Sequence, residues 1–467
     1  MNQLEKDTGI YYAPWEKTAD RILTPFEHFV HKETTSSMIL IAATLLALIC
    51  ANSALAHFYH DFTHMNVGFT LGEFSLYKSL HHWVNDGLMT LFFFVVGLEL
   101  KREILVGELA SLKKAMLPII AAIGGMVVPA LIYYAINPSG DGVNGWAIPM
   151  ATDIAFAIGI LVMLGNRVSR SLMAFLVALA IADDLGAVII IALFYTETIN
   201  YDALLWAGGI TGILALFNII GVRWPIPYFV VATFLWIAML FSGIHPTLAG
   251  IIGAFTVPAR PKYDPEFFKE QQRSLLDTFE ASFQLSKQII SNTTMKAVVY
   301  KMEELVQSVM TPLQRLEHIW HMPVAFIVIP IFAFFNAGVP ISVESLSSMT
   351  DNKIMLGVVA GLVLGKFIGI TGACYIAIKL KIAQLPSNTC MPQIAGASML
   401  AGIGFTMSIF IAQLAFGGNQ QLLDIAKTGI LIASLAAGLI GYFWLWYIGK
   451  ERRYEEGSTP LNKDDTN

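Results

Sequence analysis

The sequence predicts an all-α polytopic membrane protein of about twelve transmembrane helices, and three observations carry that prediction. Of its 467 residues, 55% are hydrophobic and only 13% are charged, against about a quarter charged in a typical soluble chain. Apolar runs long enough to cross a bilayer core, roughly 20 residues each, recur from one end of the chain to the other. Lys and Arg collect in alternate connecting segments, the bias that marks the cytoplasmic side of a membrane protein. Composition also excludes some classes. A net charge of −5 offers no polyanionic partner, so no nucleic acid is expected. Cys50, Cys374 and Cys390 are too far apart to suggest a disulfide framework or a metal site, and no motif calls for a cofactor.

The spans fall near 38–57, 83–100, 116–136, 146–164, 172–195, 203–222, 226–242, 245–258, 323–339, 354–378, 397–416 and 426–448. The eighth, after "SGIHPT", is the shortest, and a short span is tolerated where protein rather than lipid surrounds it. With the N-terminus inside, the inside segments hold 25 of the 29 Lys and Arg residues. Both termini are therefore expected in the cytoplasm, and the lipid bilayer is the chain's main surrounding. Residues 1–35 have no apolar run of the signal-peptide kind and read as a cytoplasmic tail. Residues 36–450 form the helical domain, with a cytoplasmic insert at 259–311 between the eighth and ninth spans. Residues 451–467 form a second tail.

Four ionisable residues lie at mid-membrane depth. Asp183 and Asp184 sit at the centre of "ALAIADDLGAVIIIALF", Asp153 lies in "GWAIPMATDIAFAIG", and Lys366 lies in "GLVLGKFIGITG". Each costs about 2.5–3.5 kcal/mol on insertion scales, so each must be paired, protonated, hydrated or coordinated. A purely structural set of ion pairs is a poor explanation, because buried pairs stabilise weakly and three acids do not balance one base. Intramembrane carboxylates more often mark ion pathways and proton relays. Adjacent helix positions are about 100° apart, so one aspartate can face an ion cavity while its neighbour reaches Lys366. Pro149 near Asp153, and Gly402 with Gly404 in "ASMLAGIGFTMSIF", interrupt two spans. Bared carbonyls near Thr152 would suit a hard cation, and paired interrupted spans are a pointer to a transporter binding site.

The motifs "VGLELKRE", "IAAIGGMVVPAL", "GWAIPMATDIAFAIG", "ALAIADDLGA", "IFAFFNAGV", "LGKFIGI" and "AGIGFTMSIFIAQLAFG" resemble, in this order, the bacterial NhaA-type sodium/proton antiporters. The resemblance runs from about residue 36 to 448, broken by the insert. It implies inverted repeats and two discontinuous helices, the fourth and eleventh, crossing at the ion site. It implies that Asp184 carries Na⁺, Li⁺ or H⁺, that Asp183 is its neighbour paired with Lys366, and that Thr152 and Asp153 lie at the helix break. Lys366 and Asp153 would then offset helix-end charges. It further implies a transporter of the bacterial inner membrane, not an enzyme, that exchanges cytoplasmic Na⁺ or Li⁺ for external H⁺ by alternating access. Exchange would be electrogenic and would serve sodium and pH homeostasis. A pH-sensing cluster is implied at Glu99, Arg102, Glu103, Glu317, His318 and His321, although Gln314 stands where a lysine is expected.

Two other functions fit parts of the pattern. An intramembrane aspartyl protease would use two Asp from different spans, but no GxGD-type motif surrounds them and Lys366 would have no role. A proton-coupled symporter of a small organic solute fits the buried charges nearly as well. In the insert, Val298, Met302, Leu305, Val309, Leu313 and Leu316 recur at steps of three and four, an amphipathic helix. Thr311-Pro312 with Gln314 reads as a stop followed by a fresh N-cap. That helix is expected to pack in the cytoplasm, with a partner or homodimer contact as its other use.

Overall fold

The computed structural model describes residues 3–4, 11–12, 33–71, 74–196, 199–285, 292–340 and 352–456. The tails expected at 1–35 and 451–467 therefore lie largely outside the described residues. Along the chain, helix α1 (Glu33–Ala51) bends by 114° into α2 (Ala56–His64). A π-helical turn, Trp83–Leu88, leads into α3 (Met89–Val106). Then come α4 (Leu112–Ile136), a 3₁₀ segment (Asp141–Met150), α5 (Ile154–Met163) and α6 (Arg170–Phe194). They are followed by α7 (Tyr201–Ile220), α8 (Pro225–Leu240) and α9 (Leu248–Thr256). The insert supplies α10 (Pro265–Leu285) and α11 (Thr293–Val309). The rest is α12 (Pro312–Asn336), α13 (Lys353–Lys379), α14 (Met391–Leu400), α15 (Phe405–Phe416) and α16 (Gln420–Glu456).

Helix starts follow the local chemistry. Asn200, Asn292 and Asn352 accept the first free amides of α7, α11 and α13, the usual role of an N-cap asparagine. Thr311 and Gln314 form a reciprocal capping box, with Gln314 N donating to Thr311 Oγ1 and Thr311 N to Gln314 Oε1, both at 3.1 Å. Gly221 ends α7 at φ 84°, a left-handed conformation that glycine adopts without steric cost.

Two expectations need correction. The chain is helical but not wholly so: strands Asn66–Leu71 and Phe74–Ser79 pair antiparallel, from Asn66 with Ser79 to Leu71 with Phe74. Gln3–Leu4 pairs with Tyr11–Tyr12 as well. The first apolar run does not stay helical to residue 57. Asn52 Nδ2 donates to the Leu48 and Val339 carbonyls, both at 2.9 Å, and the chain turns there. The helix that carries the ninth apolar run begins at Pro312, where the Thr311 N-cap was expected, so "RLEHIWH" forms the first turns of α12. Pro323 lacks the amide that would continue regular bonding, and a π-helical turn over Val324–Val328 follows it. Among the described residues, six helices are long and apolar enough to cross a membrane, or nine if each of three bent pairs counts once.

The contacts divide the chain into two units. One comprises residues 1–60, 116–184 and 333–467, and the other 61–115 and 185–332. In the second, Phe94, Leu98, Tyr228, Leu235, Ala254 and Leu316 share one core. There α9 approaches α3 at small residues: a Cβ on Gly97 would lie 2.8 Å from the Ala254 Cβ. In the first unit, α13 packs onto α4 through Gly361, Gly365 and Gly369, spaced four apart. Small residues at that spacing let two backbones meet. A Cβ on Gly365 would lie 2.7 Å from Pro129 Cα, and one on Gly361 2.6 Å from Pro149 Cβ. By contrast, Gly372 on the same helix meets nothing within 4 Å.

This contrast predicts opposite outcomes for one chemical change. Gly365→Ala should lower thermal stability in detergent by about 1–3 kcal/mol, the usual cost of overpacking against backbone. Gly372→Ala should leave stability unchanged or raise it by up to about 1 kcal/mol. Equal melting temperatures for the two variants would show that α13 and α4 are not in this close register.

Candidate functional site

Asp183 and Asp184 lie in the middle of α6, each only 1% exposed, and Lys366 is fully buried on α13. Lys366 Nζ is 2.6 Å from Asp183 Oδ2. The approach depends on the backbone. Residues Gly361–Gly365 form a π-helical turn, in which the Lys366 amide donates to the Gly361 carbonyl five residues earlier. Such single-turn bulges are frequent at functional sites. Here the bulge immediately precedes the lysine, on the helix that the glycine contacts press against α4. Thr152 Oγ1 lies 2.8 Å from the same Asp183 oxygen and 2.9 Å from the Ala401 carbonyl. A hydroxyl has one proton, so the two acceptors compete for it.

Two bent helix pairs meet beside this ion pair. The 3₁₀ segment Asp141–Met150 and α5 are bent by 40° about residues 151–153, and α14 and α15 by 50° about residues 401–404. Where they touch, the Asp153 amide donates to the Ile403 carbonyl at 2.6 Å. The Asp153 carboxylate caps two helices at once. Its Oδ1 accepts from the Phe156 amide at 3.1 Å, at the start of α5. Its Oδ2 accepts from the Thr406 amide at 3.0 Å and hydroxyl at 2.5 Å, at the start of α15. Ser408 Oγ donates to the Ile148 carbonyl at 2.8 Å, tying α15 back to the 3₁₀ segment.

Two of the three buried carboxylates face a compensating charge that the structure shows. Lys366 offsets Asp183. Each helix N-terminus carries about half a positive charge, so α5 and α15 together offset Asp153. Asp184 adds a third buried carboxylate next to Asp183. The arrangement can hold either a proton or a small metal cation, and the two exclude each other on the same oxygens.

The other expected residues lie in the second unit. Arg102 Nε is 3.0 Å from Glu317 Oε1, and Arg102 Nη2 is 3.2 Å from Glu103 Oε1. His321 Nδ1 is 3.4 Å from Glu99 Oε1. These five residues join α3 to the first turns of α12. His318 points elsewhere, into a cavity lined by Trp224, Met310 and Ile319. No ion pair joins it to that cluster among the described residues. Gln314, which replaces the expected lysine, is used by the capping box.

Sequence reasoning missed Thr406 and Ser408, and the partners of Lys101. Lys101 Nζ donates to the Phe255 and Val257 carbonyls at 2.6 Å, where a cation complements the C-terminal end of α9. For Thr406 a signal was available: it falls two residues after Gly404, where the first free amides of a restarting helix need an acceptor.

The chain matches the model of the Na⁺/H⁺ antiporter 1 family over residues 27–445. It is 52% identical to Na⁺/H⁺ antiporter NhaA 1 of Saccharophagus degradans over 438 residues, 94% of each chain. It is also 52% identical to Na⁺/H⁺ antiporter NhaA of Sulfurimonas denitrificans, covering 94% of this chain and 99% of that one. For the namesake in Dichelobacter nodosus the identity is 46%, with 96% of each chain covered. None of these similarities favours solute symport or proteolysis.

The Lys366–Asp183 pair can be tested by itself. Lys366→Met leaves a buried carboxylate without its cation, and breaking a buried pair in this way costs about 3–5 kcal/mol. Adding Asp183→Asn should recover most of the lost thermal stability. In a double-mutant cycle, simple addition of the two single losses would mean that the residues do not interact.

Proposed function

Because the chain belongs to the Na⁺/H⁺ antiporter 1 family, and is thus a transporter exchanging Na⁺ for H⁺ and not an enzyme, we propose that Asp184 and Asp183 carry the exchanged ions. One observation supports this most directly: a second buried carboxylate adjoins the 2.6 Å Lys366–Asp183 pair, beside two interrupted helices. Na⁺ or Li⁺ binds at Asp184, helped by Asp183 and by oxygens near Thr152. Protons displace the metal cation by occupying the same oxygens. If the site moves between the two sides only when filled, exchange is obligatory. A second proton, taken up when Asp183 leaves Lys366, makes it electrogenic. Asp153 holds the two restarting helices together, so its charge serves the geometry of the ion site.

The twelve-span architecture follows if three further segments cross with the nine: α3 with its preceding turn, α8, and the nine-residue α9. At 1.5 Å per residue α9 spans about 14 Å, half a bilayer core, and its glycine contacts with α3 supply the protein surroundings a short span needs. Spans 3–5 and 10–12 are read as inverted repeats, each containing one interrupted helix. The Lys and Arg bias places both termini in the cytoplasm, in a bacterial inner membrane. Glu99, Arg102, Glu103, Glu317 and His321 then form the pH-sensing cluster at the cytoplasmic mouth.

Asp184→Asn should abolish Na⁺-driven proton release from everted vesicles while the protein still inserts and elutes as a folded species. An amide of similar volume cannot carry the exchanged proton. Normal release by this variant would remove Asp184 from the mechanism.

The sensor is tested by the acid limb of activity against pH. Histidine titrates near pH 6.5 when unperturbed, and protonated His321 adds positive charge at the mouth next to Arg102, which opposes Na⁺ entry. Glu99 favours that protonated state, so Glu99→Ala makes protonation costlier and should move the acid limb to lower pH at saturating Na⁺. His321→Ala should flatten it. If both variants keep the parent limb at saturating Na⁺, competition at the aspartates alone accounts for the profile.

A further inference from the structure

The last helix, α16, touches both interrupted helices, and it does so with small residues. Ser434, Ala437, Gly438 and Gly441 follow steps of three and four, so they share one face. Each meets a named part of a break. A Cβ on Gly402 would lie 3.2 Å from the Ala437 Cβ. A Cβ on Gly438 would lie 3.1 Å from Ile160 Cδ1 of α5 and 3.5 Å from Ile403 Cδ1. One on Gly441 would lie 2.6 Å from Leu400 Cδ2. The fourth member supplies chemistry as well as space: the Phe405 amide donates to Ser434 Oγ at 3.2 Å, and Ser434 is buried.

That hydrogen bond matters because of where it falls. The first amides of a helix have no acceptor within it, and a buried amide left unmade is costly. At the start of α15 the Thr406 amide is served by Asp153 and the Phe405 amide by Ser434. The two acceptors differ in kind. Asp153 also caps α5, and Thr152 beside it shares a proton with Asp183. Without the serine oxygen, the Phe405 amide loses the acceptor that the structure gives it. A shift of the start of α15 in search of another would disturb the bonds that the next residue, Thr406, makes with Asp153.

We propose that Ser434 is a positioning residue for the exchange: by accepting from the Phe405 amide it fixes the start of α15, and through Thr406 the Asp153 carboxylate, beside the ion site. This rests on the reading of Asp183 and Asp184 as the ion carriers. Ser434 touches neither of them, so its effect reaches the ions only through the break. The small face of α16 leaves the break free of larger side chains that could hold it in another position.

The test measures exchange in everted vesicles, at matched amounts of folded protein and at several Na⁺ concentrations, for Ser434→Ala, Ser434→Cys and Ser434→Thr. Cysteine nearly keeps the volume while accepting weakly, so it preserves the test if the alanine variant accumulates poorly. Loss of one hydrogen bond corresponds to a rise of roughly threefold to tenfold in the Na⁺ concentration for half-maximal rate, expected for Ala and Cys. Thr, which keeps the hydroxyl, should return it toward the parent value. Reduced thermal stability with an unchanged half-maximal concentration is what a purely structural serine would give, and it overturns the proposal. Asp184→Asn is measured alongside. If that variant is inactive while the Ala and Cys variants keep the parent value, the serine assignment fails alone. If Asp184→Asn exchanges normally, the ion-site reading has failed first.

Discussion

Everything at the centre of this protein depends on one buried ion pair, Lys366 with Asp183 at 2.6 Å. Two fully desolvated charges persist only with good geometry and further hydrogen bonds, and the surrounding backbone is arranged to supply both. The glycines of α13 bring its backbone against α4, and the π-helical turn before Lys366 shifts the lysine relative to a regular helix. Thr152 adds a hydroxyl to the same carboxylate oxygen. The pair therefore joins α6, α13 and the first interrupted helix at one atom, Asp183 Oδ2. A change in the charge of that atom is felt on all three elements.

The interrupted helices extend the same principle with partial charges. A continuous helix would bury no free amides at mid-depth. Restarting two helices there exposes several, and Asp153 satisfies amides from both. The cost of bending the chain is met by a carboxylate that would otherwise be a liability, and the carboxylate is held by dipoles in place of a mobile counter-ion. Polar groups on short irregular backbone can change partners over small distances. The Thr152 hydroxyl already has two acceptors at nearly equal range. A change of charge at Asp183 thus has a short route to backbone geometry.

The outlying charges are held differently. Glu103 is buried, whereas Glu99, Arg102, Glu317 and His321 are partly exposed, with Arg102 and His321 most open to solvent. Solvent and salt weaken such pairs, so they add little to stability. The amphipathic insert leads into this region through the Thr311 capping box, which starts α12 within two turns of Glu317. Its own helices, α10 and α11, pack against each other.

The sequence by itself determined the class of the protein, the apolar segments, the four buried charges and the two places, after Met150 and after Leu400, where the structure bends by 40° and 50°. Each of those rests on local facts: hydrophobic length, proline and glycine placement, and charges that hydrocarbon does not tolerate. The Thr311 N-cap was legible for the same reason, since capping is a contact between residues three apart. What only the tertiary structure decided were the partners across distance. Residue spacing allowed either aspartate to face Lys366, and packing of α6 on α13 selected Asp183. Asp153 was legible as a buried charge at a helix break, but not that its oxygens accept amides from two helices, one of them about 250 residues away. His318 and His321 were indistinguishable in sequence, but three helix positions separate their directions, and only His321 meets Glu99. The serine that completes α15 lies on another helix altogether, so no local pattern could have named it. Periodicity and composition act within one segment, whereas hydrogen-bond partners in a packed bundle are set by which helix faces meet.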